Sequence, residues 1–184
     1  GGTDSVRQFS SLGVAKGDFI PSQSGGLMQP NAVVVRDFGS EFLINAGIND
    51  AWYNPATVGQ GFLITVFPDI KQVFLAWFTY DLERPPEDVT AILGDPGHRW
   101  LTAQGPYEGD TANLTVSVTK GGVFDSGEPA TTTDSDGTIT LQFADCEYGL
   151  IDYDITSVNR KGRIPIERIA LDNVPLCETL NTAD

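Results

Sequence analysis

The sequence predicts an all-β domain: an antiparallel up-and-down barrel or β-sandwich of about eight to ten strands with no significant helix. Three observations carry this. Residues 60–67 and 72–80 are rich in Val, Ile, Phe, Trp, Tyr and Thr and are joined by the short link Pro68-Asp69-Ile70-Lys71, which reads as a hairpin. In 110–119, Ala112, Leu114, Val116 and Val118 alternate with Thr111, Asn113, Thr115, Ser117 and Thr119, the period of a half-buried strand. Elsewhere short apolar runs are punctuated by Gly, Pro, Asn and Asp, and no amphipathic helical period is sustained.

Residues 1–30 are rich in Gly, Ser and Gln with scattered apolar positions, so they read as an arm or linker with one short strand near 18–20. Residues 31–184 then form a single all-β domain with a C-terminal tail. Strands are expected at 31–38 and 41–45. Asn54-Pro55 and Gly59-Gln60-Gly61 punctuate the approach to the central hairpin. In that hairpin Phe62, Ile64 and Val66 share one face and Leu63, Thr65 and Phe67 the other. Phe74, Ala76, Phe78 and Tyr80 oppose Val73, Leu75, Trp77 and Thr79. Both faces are largely apolar, so one side needs a cover beyond the core.

Residues 82–98 carry Pro85, Pro86, Gly94, Pro96 and Gly97 and read as a long excursion with one helical turn around 87–93, a length typical of functional loops. Extended structure resumes at 99–105. Lys120-Gly121-Gly122 makes a turn, and 125–137 reads as a polar connection. Further strands follow at 138–143, 150–155 and 162–169. Pro165 lacks an N–H, which marks the last of these as an edge or a bulge.

A formal net charge of −14 (Lys and Arg 11, Asp and Glu 25) argues against nucleic acid and anionic membrane as partners, because both select basic patches. No apolar run reaches the ~18 residues of a transmembrane helix, so membrane insertion is not expected. The Gly-Gly start has neither charged nor apolar leader character, so a targeting signal is expected to be absent or removed. The two cysteines, Cys146 and Cys177, suit one disulfide in an oxidising compartment, which places the chain as secreted, periplasmic or at the cell surface.

The stretches Trp52-Tyr53-Asn54-Pro55, Gly59-Gln60-Gly61-Phe62 and Trp77-Phe78-Thr79-Tyr80-Asp81 resemble a module in a group of exported bacterial proteins of uncharacterised function. Arg99 to Gly105, Gly121 to Phe124, Phe143 to Cys146 and Gly162 to Arg168 extend the likeness to roughly 49–177. In simpler members the Trp-Leu follows the Thr-Tyr-Asp turn closely, whereas here 86–98 intervenes. The resemblance implies export and β architecture and assigns no catalytic residue. The Trp near the first strand is also similar to that of lipocalin- and avidin-type ligand barrels, a likeness of fold only.

Catalytic candidates are sparse. His98, the only histidine, has no nucleophile elbow to serve, and one histidine with two bridge-forming cysteines leaves no metal constellation. Asp152 and Asp154 lie on one strand face about 7 Å apart. With Asp145 and Glu147 they match the spacing of a glycosidase pair, or more simply a solvated acidic face. Asp134-Ser135-Asp136-Gly137 resembles the start of a calcium loop without its later ligands. No Gly-rich phosphate loop occurs, so no cofactor is expected.

Trp52, Tyr53, Trp77, Tyr80 and Trp100 are the candidate binding residues, since Trp and Tyr join large apolar area to a polar edge. The sequence thus points to a non-catalytic exported β domain that recognises a partner protein or glycan at the cell surface. A ligand-carrying barrel is the alternative, and a carboxylate hydrolase a more distant one.

Overall fold

The hairpin of 60–80 is the middle of a closed antiparallel barrel. The computed structural model describes residues 6–9, 15–20, 42–84, 86–88 and 98–182. The chain divides into two units, Gly1–Arg36 and Asp37–Asp184. In the first, β1 (Val6–Phe9) and β2 (Ala15–Ile20) form an antiparallel pair, with Val6 opposite Ile20 and Phe9 opposite Ala15.

The second unit holds β3 (Asp50–Tyr53), β4 (Gly61–Phe67), β5 (Gln72–Tyr80), β6 (His98–Glu108), β7 (Thr111–Lys120), β8 (Thr132–Phe143), β9 (Tyr148–Ile155) and β10 (Arg160–Arg168). Each strand pairs with the next, and β10 closes on β3. A helix, α1 (Val174–Thr182), follows. Of the barrel and the sandwich, the barrel is what forms. Among the described residues no helix is long and apolar enough to cross a membrane.

An eight-stranded barrel is just wide enough for side chains to fill its interior. The alternation seen in sequence supplies them. Phe62, Ile64, Val66, Val73, Leu75 and Trp77 come from the central hairpin, and Ala112, Leu114 and Val116 from β7. Ile139, Leu141, Phe143 and Ile151 complete the far wall. Leu63, Phe67, Phe78 and Tyr80 point outward and stay exposed, so in this hairpin the second apolar face is the barrel's outer surface.

The seam between β10 and β3 is short: only Glu167 and Arg168 pair, with Tyr53 and Trp52. Pro165 pairs with Leu150 of β9, and on its other side β3 has already ended, which is the edge position its missing N–H requires. Arg168 bridges the closure. Its guanidinium lies 4.6 Å from the Trp52 ring centroid and pairs with Asp50 at 2.7 Å. It also donates to the carbonyls of Gly47 and Cys146. Burial lowers its pKa, and the hydrogen bond and charge of Asp50 oppose that shift. Trp52 in turn donates Nε1 to the Ile48 carbonyl at 3.1 Å and packs on Phe143 at 5.1 Å.

Beneath this seam a 3-10 turn, Ala46–Ile48, meets α1. The Cys146–Cys177 disulfide ties α1 to the β8–β9 turn. Gly47 approaches so closely that an added Cβ would lie 2.3 Å from Cys177 Cα. Asn45 Nδ2 donates to the Cys177 carbonyl at 3.2 Å, and the Leu43 amide donates to Asn181 Oδ1 at 2.8 Å.

Four sequence expectations differ from this structure. The arm at 1–30, read with one short strand near 18–20, holds two paired strands, Val6–Phe9 and Ala15–Ile20. Residues 42–45 form no strand; the segment crosses the barrel end, where the Ile44 amide bonds the Gly109 carbonyl and Phe42 and Ile44 are buried. The polar connection at 125–137 is strand from Thr132 onward, because Thr119 and Thr133 share a hydroxyl bond and Lys120 pairs with Asp134. The tail is mostly helix, stabilised where Cys177 is buried against the 3-10 turn. The strand expected at 31–38 and most of the helical turn at 87–93 lie outside the described residues.

Candidate functional site

The alternation of β-strands sorts the five aromatic candidates onto opposite sides of one wall. Trp52 and Trp77 face inward and are buried. Trp77 stacks between Phe62 at 5.3 Å and Tyr153 at 5.2 Å in the barrel interior. Tyr53, Tyr80 and Trp100 face outward. Tyr53 is half-buried beside the seam, where its phenol is raised above the ordinary 10.0 by a hydrogen bond with Glu167, helped by burial and by the carboxylate's charge. Tyr80 and Trp100 are exposed, Trp100 by 55%.

On the outer face the register builds an aromatic row. Phe78 of β5 pairs with Trp100 of β6 on one side and with Gly61 of β4 on the other. A Cβ placed on Gly61 would lie 3.9 Å from the Tyr53 Cβ, so Tyr53 is next across. Tyr53, Phe78 and Trp100 therefore stand on one line across four strands, and the missing side chain of Gly61 leaves a gap between the first two. Leu63 lies diagonal to Phe78, two residue pairs along the hairpin on the same face. Phe78 is 48% exposed and belongs to this row as fully as Trp100. The signal for it was its shared parity with Tyr80 in the sequence.

The turn between β3 and β4 packs beside the row, against Thr79 and Tyr80. Asn54 Oδ1 accepts from the Ala56 amide at 3.0 Å, and Asn54 O from the Thr57 amide at 2.9 Å. Gly59 sits at φ +79°, where a Cβ would meet the Tyr80 hydroxyl at 2.1 Å. Gln60 Oε1 accepts from Thr79 Oγ1 at 2.6 Å. The polar residues of the Asn-Pro and Gly-Gln-Gly stretches are thus consumed in building the turn.

The carboxylate candidates lie elsewhere. Asp152 and Asp154, with Thr138, Thr140, Tyr153, Lys161, Gly162 and Arg163, line an open depression of about 420 Å³ on β8, β9 and β10. Arg163 grips Asp152 with two bonds, at 2.7 and 2.9 Å, and holds its carboxyl below the usual carboxylate range. Lys161 pairs with Asp154 at 2.7 Å. Asp145 Oδ1 accepts from the amides of Glu147 and Tyr148 in the β8–β9 turn. A general acid needs its pKa raised, and Asp152 is shifted the other way.

Asp134-Ser135-Asp136-Gly137 lies within β8 and is not a loop: Asp134 pairs with Lys120, and Asp136 accepts from the Ser157 amide and hydroxyl. Among the described residues no group of three or more His, Cys, Asp and Glu is placed to hold a metal ion. The side chain of His98 lies outside the described residues.

No protein-family model matches the chain, and no curated protein or solved structure is significantly similar to it.

Proposed function

We propose that the chain is an exported, non-catalytic recognition domain that holds a partner protein or a glycan at the cell surface against the outer aromatic row. The observation that supports this is the line Tyr53, Phe78 and Trp100 on the outside of a closed wall, with Leu63 and Tyr80 beside it. The interior already has its own aromatics, so the outer ones are not needed to fill the core. Apolar groups kept ordered on a rigid sheet lose little freedom when a partner covers them. Export rests on the Cys146–Cys177 bridge, which persists in oxidising compartments.

The test is a glycan array and an affinity-purification screen on the intact chain, repeated with Phe78→Ala and Trp100→Ala. A bound partner whose affinity falls about tenfold in both variants, at unchanged melting temperature, supports the reading. A partner held equally well by both variants overturns it. Turnover of a glycan or ester lost in Asp152→Asn or Asp154→Asn, with the fold intact, overturns the non-catalytic part.

The ligand-barrel reading has one observation in its favour. Around Trp77 lie Phe62, Tyr153 and, opposite it on β6, Leu101, and the last two are only partly buried. Quenching of Trp77 fluorescence by a small apolar ligand, absent in Tyr153→Ala, would favour it over surface recognition.

A further inference from the structure

The β7–β8 hairpin does not stop where the barrel wall does. Pairing of β7 with β6 runs to Ser117, opposite Thr102, and pairing of β8 with β9 begins at Gly137. Between those limits β7 and β8 pair only with each other among the described residues, through Val118–Asp134, Thr119–Thr133 and Lys120–Thr132. Every residue from 120 to 135 is exposed. Beyond those points the two strands run on as a two-stranded arm paired to neither β6 nor β9, while β6 itself continues to His98 in pairing with β5. A bulge at Thr115/Ser117 and Gly137 at φ +108° mark its base; a Cβ on Gly137 would sit 1.9 Å from the Asp154 carbonyl oxygen.

The arm is built to a fixed shape. The Thr119 and Thr133 hydroxyls lie 2.9 Å apart, and Lys120 Nζ is 3.0 Å from Asp134. At the tip the Ser126 amide donates to the Val123 carbonyl. Ser126 Oγ donates to the Glu128 carbonyl at 2.7 Å and accepts from its amide. These bonds present Phe124, 85% exposed, and Val123, 59% exposed. Among the described residues Phe124 is not part of the hydrophobic core. The acidic side chains nearest it in sequence are Asp125 and Glu128; among the described residues neither forms an ion pair, whereas Lys120 is matched by Asp134.

The geometry points to this arm as a docking element for a cationic, apolar polypeptide segment, with Phe124 as its anchor and Asp125 and Glu128 selecting Lys or Arg in the partner. It rests on the recognition reading above and adds a second contact surface and a partner class. An ordered tip gives an aromatic anchor at little entropic cost. The acidic flanks and the net charge of −14 steer cations toward it and repel nucleic acid and anionic bilayers. A second copy of this chain carries the same charge and is disfavoured as the occupant.

The test is selection of a random peptide library on the intact chain. Selected peptides should be enriched in Lys or Arg together with aliphatic or aromatic residues. Phe124→Ala should weaken them about tenfold, and Asp125→Asn with Glu128→Gln should flatten their salt dependence. Phe124 is exposed, so its variant should fold like the parent, as circular dichroism would verify. Trp100→Ala should leave these peptides bound. Selected peptides that are neutral or acidic, no selection at all, or binding retained in Phe124→Ala overturns the docking arm. If binding is instead lost in Trp100→Ala, the outer row stands without it. Concentration-dependent dimerisation abolished by Phe124→Ala would assign the arm to self-association and equally overturn the proposal.

Discussion

At one end of the barrel Arg168, Trp52, Phe143, the 3-10 turn and the disulfide-tethered α1 are packed together; at the other, the β7–β8 arm and the loop carrying Val58 stand in solvent. The same strands supply both ends. The difference lies in what each end does with its polar groups. At the sealed end a buried guanidinium is matched by Asp50, by two carbonyls and by an aromatic face, so one side chain joins β10, β3, the 3-10 turn and the β8–β9 turn. At the arm each polar bond is local, and its loss would be felt only there. The packing that stabilises the fold is therefore separable from the exposed surfaces proposed for recognition.

Removing the guanidinium should break the contrast most severely. Arg168→Met leaves Asp50 and the Gly47 and Cys146 carbonyls without their partner, with an expected loss of about 3–5 kcal/mol in urea unfolding. A loss below ~1 kcal/mol would show that the seam closes without it. Trp77→Ala, which removes a buried indole, belongs in the same range of about 3–5 kcal/mol.

Next in size is the bridge. Replacing Cys146 and Cys177 together by Ala should cost about 2–4 kcal/mol, since the link closes a loop of 31 residues in sequence separation. Hydrogen exchange should rise first in α1 and the 3-10 turn. Uniform exchange throughout the barrel would mean the two ends are not independent.

A smaller, pH-dependent effect should appear at the seam. The Tyr53 phenol is raised in the fold, so the protonated form is the one the native state favours. Its contribution is complete below the ordinary 10.0 and fades as the pH climbs through the raised value. The stability difference between the parent and Tyr53→Phe should therefore narrow in alkaline solution. A difference that stays constant across that range would remove the Glu167 bond as its cause.

The smallest stability change is expected at the exposed aromatic surfaces proposed for recognition. Phe124→Ala and Trp100→Ala should each lie within about 0.5 kcal/mol of the parent, while partner binding falls. A loss above ~2 kcal/mol for either would place that ring in the fold's own packing and turn the comparison around.

The sequence was most legible where a residue's role follows from parity. Alternation in 110–119 and in the two runs of the central hairpin separated core from surface correctly at Ile64, Leu75, Leu114 and Val116. Pro165 announced an edge, and the two cysteines announced a bridge. The same parity divides the aromatic candidates. Trp52 and Tyr53 are neighbours in the chain but lie on opposite sides of the wall, so nearness in sequence grouped what the pleat separates. The strand at 132–136 was hidden because its Thr, Asp and Ser residues have no apolar period; it exists only because β7 pairs with it. The helical tail was hidden for a similar reason: its stability comes from Cys177 and from contacts of Asn173 and Asn181 with the 3-10 turn region, not from local propensity.

By itself, then, the sequence determined the strands that carry an apolar period, their inward and outward sets, the acidic charge and the means for a bridge, because a two-residue period and covalent chemistry are local properties. Tertiary structure alone decided that the sheet closes, that Arg168 bridges the closing strands, that Tyr53, Phe78 and Trp100 fall on one line, and that the ends of β7 and β8 pair only with each other. Each depends on register between strands far apart in the chain, and register is set by the whole sheet at once.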